Sequence, residues 1–193
     1  MIELNKEYWS SKYIELNMGW DVGEITTPLK TYFDQLIDKS LRILIPGCGN
    51  GYEAEYLHNL EFDVTVIDLS EYPLNNLKER CPSFPSEKLI QTDFFEFEGA
   101  FDLIIEQTFF SALNPNLRNS YAKQMHNLLA PKGKLVGLLF NIGLYDDHPP
   151  FGGNLELYKP IFEPYFRFNV FEEAYNSIEP RKGNELFLNL VKK

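Results

Sequence analysis

The stretch Leu41-Arg42-Ile43-Leu44-Ile45-Pro46-Gly47-Cys48-Gly49-Asn50-Gly51 constrains the fold more than any other part of the chain. Leu41–Ile45 is a short apolar run of the kind that makes a buried strand, and a helical pattern begins at Tyr52 and continues to about Leu60. Between them, Gly47, Gly49 and Gly51 permit a tight turn and the close approach of a ligand that a Cβ would block. The helix behind the turn offers unsatisfied N–H groups and the positive end of its dipole. Strand, turn and helix together form a corner suited to a carboxylate or phosphate.

Strand and helix patterns alternate from this corner onward. Phe62–Ile67 reads as a strand ending in Asp68, and Ser70 caps a helix through about Arg80. A short strand at Lys88–Gln91 ends in Thr92-Asp93-Phe94, and one at Phe101–Ile105 ends in Glu106-Gln107. Leu117, Tyr121, Met125, Leu128 and Leu129 repeat at helical spacing, and Lys132-Gly133 turns that helix into a strand at Lys134–Phe140. A loop rich in Asp, Pro and Gly covers 141–153, followed by a helix at about 154–163 and strands near 166–174 and 185–191. Ahead of the corner, residues 3–17 have helical spacing, and Thr27-Pro28 opens a helix to about Lys39. The expected fold is α/β: a doubly wound, mostly parallel seven-stranded sheet with an antiparallel last strand. The last two strands, joined by Asn176–Asn184, are expected to form a hairpin-like tail on the sheet edge. With 193 residues, 44% of them apolar, the chain is expected to form one domain over 1–193, with N-terminal helices in 1–40 and the sheet in 41–193.

Several classes of function are disfavoured. No run reaches the ~18–20 apolar residues of a membrane span, and the N-terminus lacks a basic-then-apolar signal, so a cytoplasmic protein is expected. Two cysteines, Cys48 and Cys81, support neither a disulfide framework nor a metal site. Acids outnumber bases 28 to 18, a formal net charge of −10, and no Lys/Arg stripe is present, which argues against nucleic acid. Small-molecule partners remain, with the protein a monomer or weak dimer.

In doubly wound sheets, ligands sit at the carboxyl ends of the strands, where Asp68, Asp93 and Glu106 all fall. Asp68 lies 21 positions beyond Gly47, close to the ~20 expected of a carboxylate that binds ribose hydroxyls. A nicotinamide dinucleotide wants Gly-x-Gly-x-x-Gly, whereas the third glycine here comes one residue early. Gly-x-Gly-x-Gly with acids after the second and third strands and an antiparallel tail resembles the class I S-adenosylmethionine-dependent methyltransferases. Pro46 departs from many of them, which have an acid there.

Residues outside the turn sharpen the resemblance. Trp9, Tyr13 and Gly19-Trp20-Asp21-Val22-Gly23 resemble the N-terminal segment of the thiopurine S-methyltransferase family, nearest its thiol/halide methyltransferase branch. Pro46-Gly47-Cys48-Gly49, Phe101–Ile105, Asn114-Pro115 with Arg118, Tyr121, Ala122 and Met125, His148–Phe151 and Pro180–Gly183 are similar to that family's motifs, in order. The resemblance implies S-adenosylmethionine as cofactor and an N-terminal aromatic lid over it. It implies cofactor contacts from Trp9, Tyr13, Trp20, Gly47, Gly49, Asp68, Leu69, Asp93, Phe94, Glu106 and Gln107. The chemistry of these residues is compatible: rings stabilise a sulfonium through cation–π contact, Asp68 can accept ribose hydroxyls, Asp93 the adenine amino group, and Glu106 can face the methionine ammonium.

Methyl transfer to a thiol, thiocyanate, sulfide or halide needs alignment and exclusion of water more than proton chemistry. No catalytic dyad is expected, since His58, His126 and His148 have no Cys or Ser partner in motif-like spacing. The resemblance places His148, Arg118 and Arg181 near the substrate, where the arginines would attract an anionic nucleophile or lower a thiol pKa. The plainer alternatives are a helix-start salt bridge for Arg118 and a solvated turn for Arg181. Where plant halide enzymes have a tyrosine at the end of the fifth strand, this chain has Phe140-Asn141, and Phe109, Phe110, Phe140 and Phe151 suggest an apolar pocket for a larger thiol. Methylation of O or N on another metabolite, or cofactor binding without transfer, are the competing functions.

Overall fold

A computed structural model describes residues 2–193. In chain order the elements are α1 (Lys6–Ile14), α2 (Thr27–Phe33), β1 (Arg42–Pro46), α3 (Tyr52–Asn59), β2 (Asp63–Asp68), α4 (Glu71–Arg80), β3 (Leu89–Gln91) and β4 (Phe101–Gln107). They continue with α5 (Phe109–Ala112), α6 (Arg118–Leu128), β5 (Leu129–Phe140), α7 (Leu155–Phe162), β6 (Phe166–Glu173) and β7 (Glu185–Lys192). The seven strands form one sheet in the order β3-β2-β1-β4-β5-β7-β6. Pairings from β3 to β5 are parallel, and β7 is antiparallel to both β5 and β6.

Ile43, Leu44 and Ile45 are buried on both faces of β1, as an unbroken apolar run in a covered parallel sheet requires. Leu44, Ile67, Ile104 and Leu135 pack on one face against α6 and α7, through Tyr121, Met125, Tyr158 and Phe162. Ile43, Ile45, Val66 and Ile105 pack on the other against α2, α3 and α4, through Leu29, Phe33, Leu57 and Leu77. No helix among the described residues is long and apolar enough to cross a membrane.

Four elements differ from the sequence reading. The expected tail does not lie wholly on the edge: β7 inserts between β5 and β6, and β6 becomes the edge strand. Leu186, Leu188 and Leu190 are buried and Phe187 packs against the opposite core, whereas β6 alternates buried and exposed positions. α2 stops at Phe33 rather than Lys39, because Gln35 and Leu36 tighten to bonds from three residues back. Asp38 then turns the chain through Ser40 N–H, leaving Ile37 exposed. β5 starts at Leu129, and Lys132 at φ +66° with Gly133 forms an irregularity inside the strand instead of a turn before it. The four-residue α5 is too short to show a period, and the sequence gives no sign of it.

Candidate cofactor and substrate site

The carboxyl ends of β1, β2 and β4 converge on the glycine corner. Gly47, Gly49 and Gly51 have φ of +57°, +53° and +70°, the left-handed region that glycine enters without a Cβ penalty. A Cβ on Gly47 would lie 2.2 Å from Phe109 Cδ2, so the Phe109 ring lies directly on the first glycine. That ring in turn meets Phe94 edge-on at 5.2 Å. The space beside Gly49 faces the N-terminal segment instead, with Tyr13 Oη and Trp20 Nε1 its nearest neighbours.

Asp68 closes the corner. Its Oδ2 accepts Gly49 N–H at 3.2 Å and its Oδ1 accepts Ser70 N–H at 2.9 Å, fixing the carboxylate between turn and α4. Burial pushes the carboxyl up to about 6, and the backbone N–H groups of Ser70, Gly49 and Leu69 pull the other way. Gln107, at the end of β4, has its side-chain Oε1 buried without a partner among the described residues. Asp93 is exposed and folds onto its own turn, accepting Phe95 N–H at 2.8 Å. Leu69 is half-buried, with its carbonyl accepting from Gln91 Nε2.

The aromatic residues of the first 20 positions form one cluster. Trp20 packs edge-on against Trp9 at 5.7 Å and against Tyr13 at 6.0 Å. Burial first, then the charges of Asp68 and Asp21, hold the Tyr13 phenol protonated far above its ordinary range. Three clasps fasten this lid, none of them anticipated from sequence. The hydroxyls of Ser10 and Ser70 meet at 3.0 Å. Asp21 accepts from Asn50 Nδ2 and from Tyr52 Oη, both on the glycine corner or the helix behind it. Arg181 donates to the Trp20 carbonyl at 2.7 Å across 161 positions of sequence. Asp21, Trp20 and Arg181 carried sequence signals as motif residues, but nothing in the sequence paired them with these partners.

Glu106 turns away from the corner. Wholly buried, its carboxylate accepts from Tyr121 Oη and from Phe110 N–H at 2.9 Å, which ties β4 to α5 and α6. Burial pushes it up to about 7.

The three substrate-side candidates do not converge. Arg118 is buried and makes no salt bridge among the described residues; it donates to Gly152 O at 2.9 Å and lies over the Phe110 and Tyr158 rings. Arg181 is buried, not in a solvated turn, and its Nη1 donates to Glu185 Oε1 at 3.3 Å while Nη2 holds Trp20. His148 stacks on Tyr145 at 4.0 Å in the loop after β5 and bonds to Pro149 O. Of the four phenylalanines, Phe110 and Phe151 are core, while Phe109 and Phe140 are half-buried.

These residues fit S-adenosylmethionine. The glycine cradle, the fixed carboxylate after β2, the partnerless Gln107 oxygen and the lid rings together offer a donor-seeking, cation-tolerant corner. Among the described residues no group of His, Cys, Asp and Glu is placed to hold a metal. Fold and corner together define a class I S-adenosylmethionine-dependent methyltransferase.

Comparison with known proteins narrows the class. Residues 4–189 match the model of the family described as thiopurine S-methyltransferase, and the chain belongs to that family. It is 35% identical over 176 residues to thiocyanate methyltransferase 1 of Brassica oleracea, covering 86% of this chain and 76% of that protein. It is 29% identical over 192 residues to the probable thiol methyltransferase 2 of Arabidopsis thaliana, covering 96% and 84%. The fold matches the 1,6-didemethyltoxoflavin-N1-methyltransferase of Burkholderia thailandensis, solved with S-adenosylhomocysteine, at TM-score 0.76 and 16% identity, over 97% and 87% of the two chains.

Proposed function

We propose that this protein transfers the methyl group of S-adenosylmethionine to a small, soft nucleophile, a thiol foremost. The observation that carries the reading is the lid: Trp9, Tyr13 and Trp20 gathered beside Gly49, whose N–H is held by Asp68. Aromatic faces stabilise a permanent cation without a counter-charge that would compete as nucleophile. When bound, the cofactor supplies a methyl group already activated on a sulfonium. Asp68 would hold the ribose, and the oxygen of Gln107 would receive a donor from the methionine end. Leu69, Asp93 and Phe94 would line the adenine side.

The chain's own contribution is then alignment and dryness. The three clasps hold the lid on the corner, which excludes water and fixes the approach to the methyl carbon. Asp21 gives the clasp to α3, and Arg181 ties the far side of the sheet to the same loop. The excess of acids argues for a small-molecule partner rather than a polyanion. A cytoplasmic monomer or weak dimer is consistent with this reading.

Titration calorimetry with S-adenosylmethionine and S-adenosylhomocysteine tests the cofactor: both should bind, and no binding of either refutes the reading. Incubation with a panel of alkanethiols, aromatic thiols, bisulfide, thiocyanate and iodide, assayed for S-adenosylhomocysteine, tests transfer. Turnover of O- or N-nucleophiles alone would refute the thiol class.

A further inference from the structure

Glu53 lies in the first turn of α3, just beyond Gly51, and is 6% exposed. Burying a carboxylate is costly unless a cation pairs with it directly. None of the ion pairs among the described residues includes Glu53. What surrounds it belongs to the lid loop, residues 18–26, or to the anchors of that loop. Thr26 and Glu53 itself turn their N–H groups on the carboxyl, and Arg181 and Asp21 act on it through their charges. Arg181 is the guanidinium that grips the Trp20 carbonyl at 2.7 Å, and Asp21 is the residue tied to Asn50 and Tyr52.

The charges facing Glu53 come from several elements. Asp21 in the lid loop is negative and partly exposed, and Arg181, from the turn before β7, is positive. Cys48 in the glycine turn is a neutral thiol, held protonated by burial and then by the charge of Asp68. Arg181 also donates to Glu185 of β7 at 3.3 Å, and the Ser177 hydroxyl supports that second carboxylate. One guanidinium thus stands between two buried carboxylates, and the buried cluster is neutral only when one of them carries a proton. Glu185 has the direct bond to Arg181, so the proton belongs on Glu53. Burial pushes the Glu53 carboxyl from an ordinary 4.5 up to about 7; the N–H groups of Glu53 and Thr26, then Arg181, oppose the rise, and Asp21 adds to it.

Resting on the reading of the N-terminal aromatic segment as a cofactor lid, we propose that Glu53 is the positioning residue of that lid, neutral beneath it when closed and ionised when it opens. Opening withdraws the Trp20 carbonyl from Arg181 and Asp21 from Asn50, and water reaches the carboxyl. There the O–H bond breaks, the proton passes to water and the carboxylate is solvated. The closed lid therefore binds one proton more than the open one.

The sign follows from that count. Because the closed state holds the proton more tightly, closure is fully supported below about pH 4.5, loses support as pH rises from there through about 7, and is level above. Glu53 acts through Arg181 and Thr26 on the loop that carries Trp20, not on the reacting atoms. Cofactor held under the lid is accordingly released faster at neutral pH than in mild acid.

Glu53→Gln keeps the shape of the neutral acid, and its carbonyl still accepts N–H groups, but it does not ionise. Hydrogen exchange of amides 18–23 in the free protein, expressed as protection relative to the unfolded chain, reads lid opening. The ratio of protection in E53Q to that in wild type should rise by about tenfold between pH 5.5 and pH 7.5. Asp68, which burial also raises, is present in both proteins and cancels in the ratio. A ratio that is the same at both pH values, as a merely structural Glu53 would give, overturns the proposal. Lid amides no less protected than those of β1 also overturn it, because the lid then opens only when the whole fold does. Release of S-adenosylhomocysteine, followed by the fluorescence of Trp9 and Trp20, the two tryptophans of the chain, should accelerate with pH in wild type by the same factor relative to E53Q. A protein that binds no S-adenosylhomocysteine overturns the cofactor reading, and the exchange ratio still decides whether Glu53 sets the loop. Should E53Q not fold, the wild type decides: lid protection that falls about tenfold over that range supports the proposal, and constant protection refutes it.

Discussion

Replacing Glu106 by glutamine should make the protein more stable at alkaline pH and leave it little changed in acid. Glu106 is 0% exposed. Burial lifts its carboxyl from an ordinary 4.5 to about 7, against the opposing pull of Tyr121 and the N–H groups of Phe110 and Phe109. The folded protein therefore holds this proton more tightly than the unfolded chain. Its contribution is intact below about pH 4.5, is lost as pH rises from there through about 7, and is level above. At ~1.4 kcal/mol for each pH unit, the ionised carboxylate costs the fold about 3 kcal/mol by pH 8. Glutamine carries no such penalty, and its carbonyl can still accept Phe110 N–H while its amide donates to Tyr121. The hydrogen bonds to the charged form are already contained in that figure. The expected result is a variant within ~1 kcal/mol of wild type at pH 4.5 that gains about 3 kcal/mol relative to it between there and pH 8. Urea unfolding followed by circular dichroism across that range measures it. Glu53 and Asp68, which burial also raises, are present in both proteins and cancel. A stability difference that is the same at pH 5 and pH 8 would refute the reasoning.

Further predictions concern the corner and the lid. Asp68→Ala should weaken S-adenosylmethionine binding by on the order of 1–3 kcal/mol, and an unchanged calorimetric affinity removes Asp68 from the ribose role. Gly47→Ala places a methyl 2.2 Å from Phe109 Cδ2 at φ +57°; it should cost about 2 kcal/mol or more of stability. Part of that cost should return in the double variant with Phe109→Ala, and full additivity in a thermodynamic cycle would contradict the contact. Arg181→Lys replaces a fork that reaches Trp20 O and Glu185 together by a single ammonium. Amide exchange in residues 18–23 should then accelerate by roughly tenfold, about 1.4 kcal/mol of local opening, and unchanged exchange would show that Arg181 does not hold the lid.

Local patterns carried the strands and the longer helices because each had a period or an apolar run to read. The insertion of β7 between β5 and β6 was written in the alternation of Leu186, Phe187, Leu188 and Leu190, buried from both sides, but pairing partners are not a local property. The arginines show the same limit at the site. Arg118 and Arg181 were legible as motif residues, yet burial and hydrogen bonds to backbone carbonyls turn them toward the loop at Gly152 and the carbonyl of Trp20.

What the sequence by itself determined was the cofactor corner: glycines at 47, 49 and 51, Asp68 after the next strand, and two tryptophans upstream. These residues act through the chemistry of their own backbone and side chains, so spacing suffices to recognise them. What only the tertiary structure decided was the substrate side. Arg181 was legible as a motif residue, but its hold on the Trp20 carbonyl across 161 positions and its contact with Glu185 come only from packing. Which donors reach a buried acceptor depends on every element packed around it.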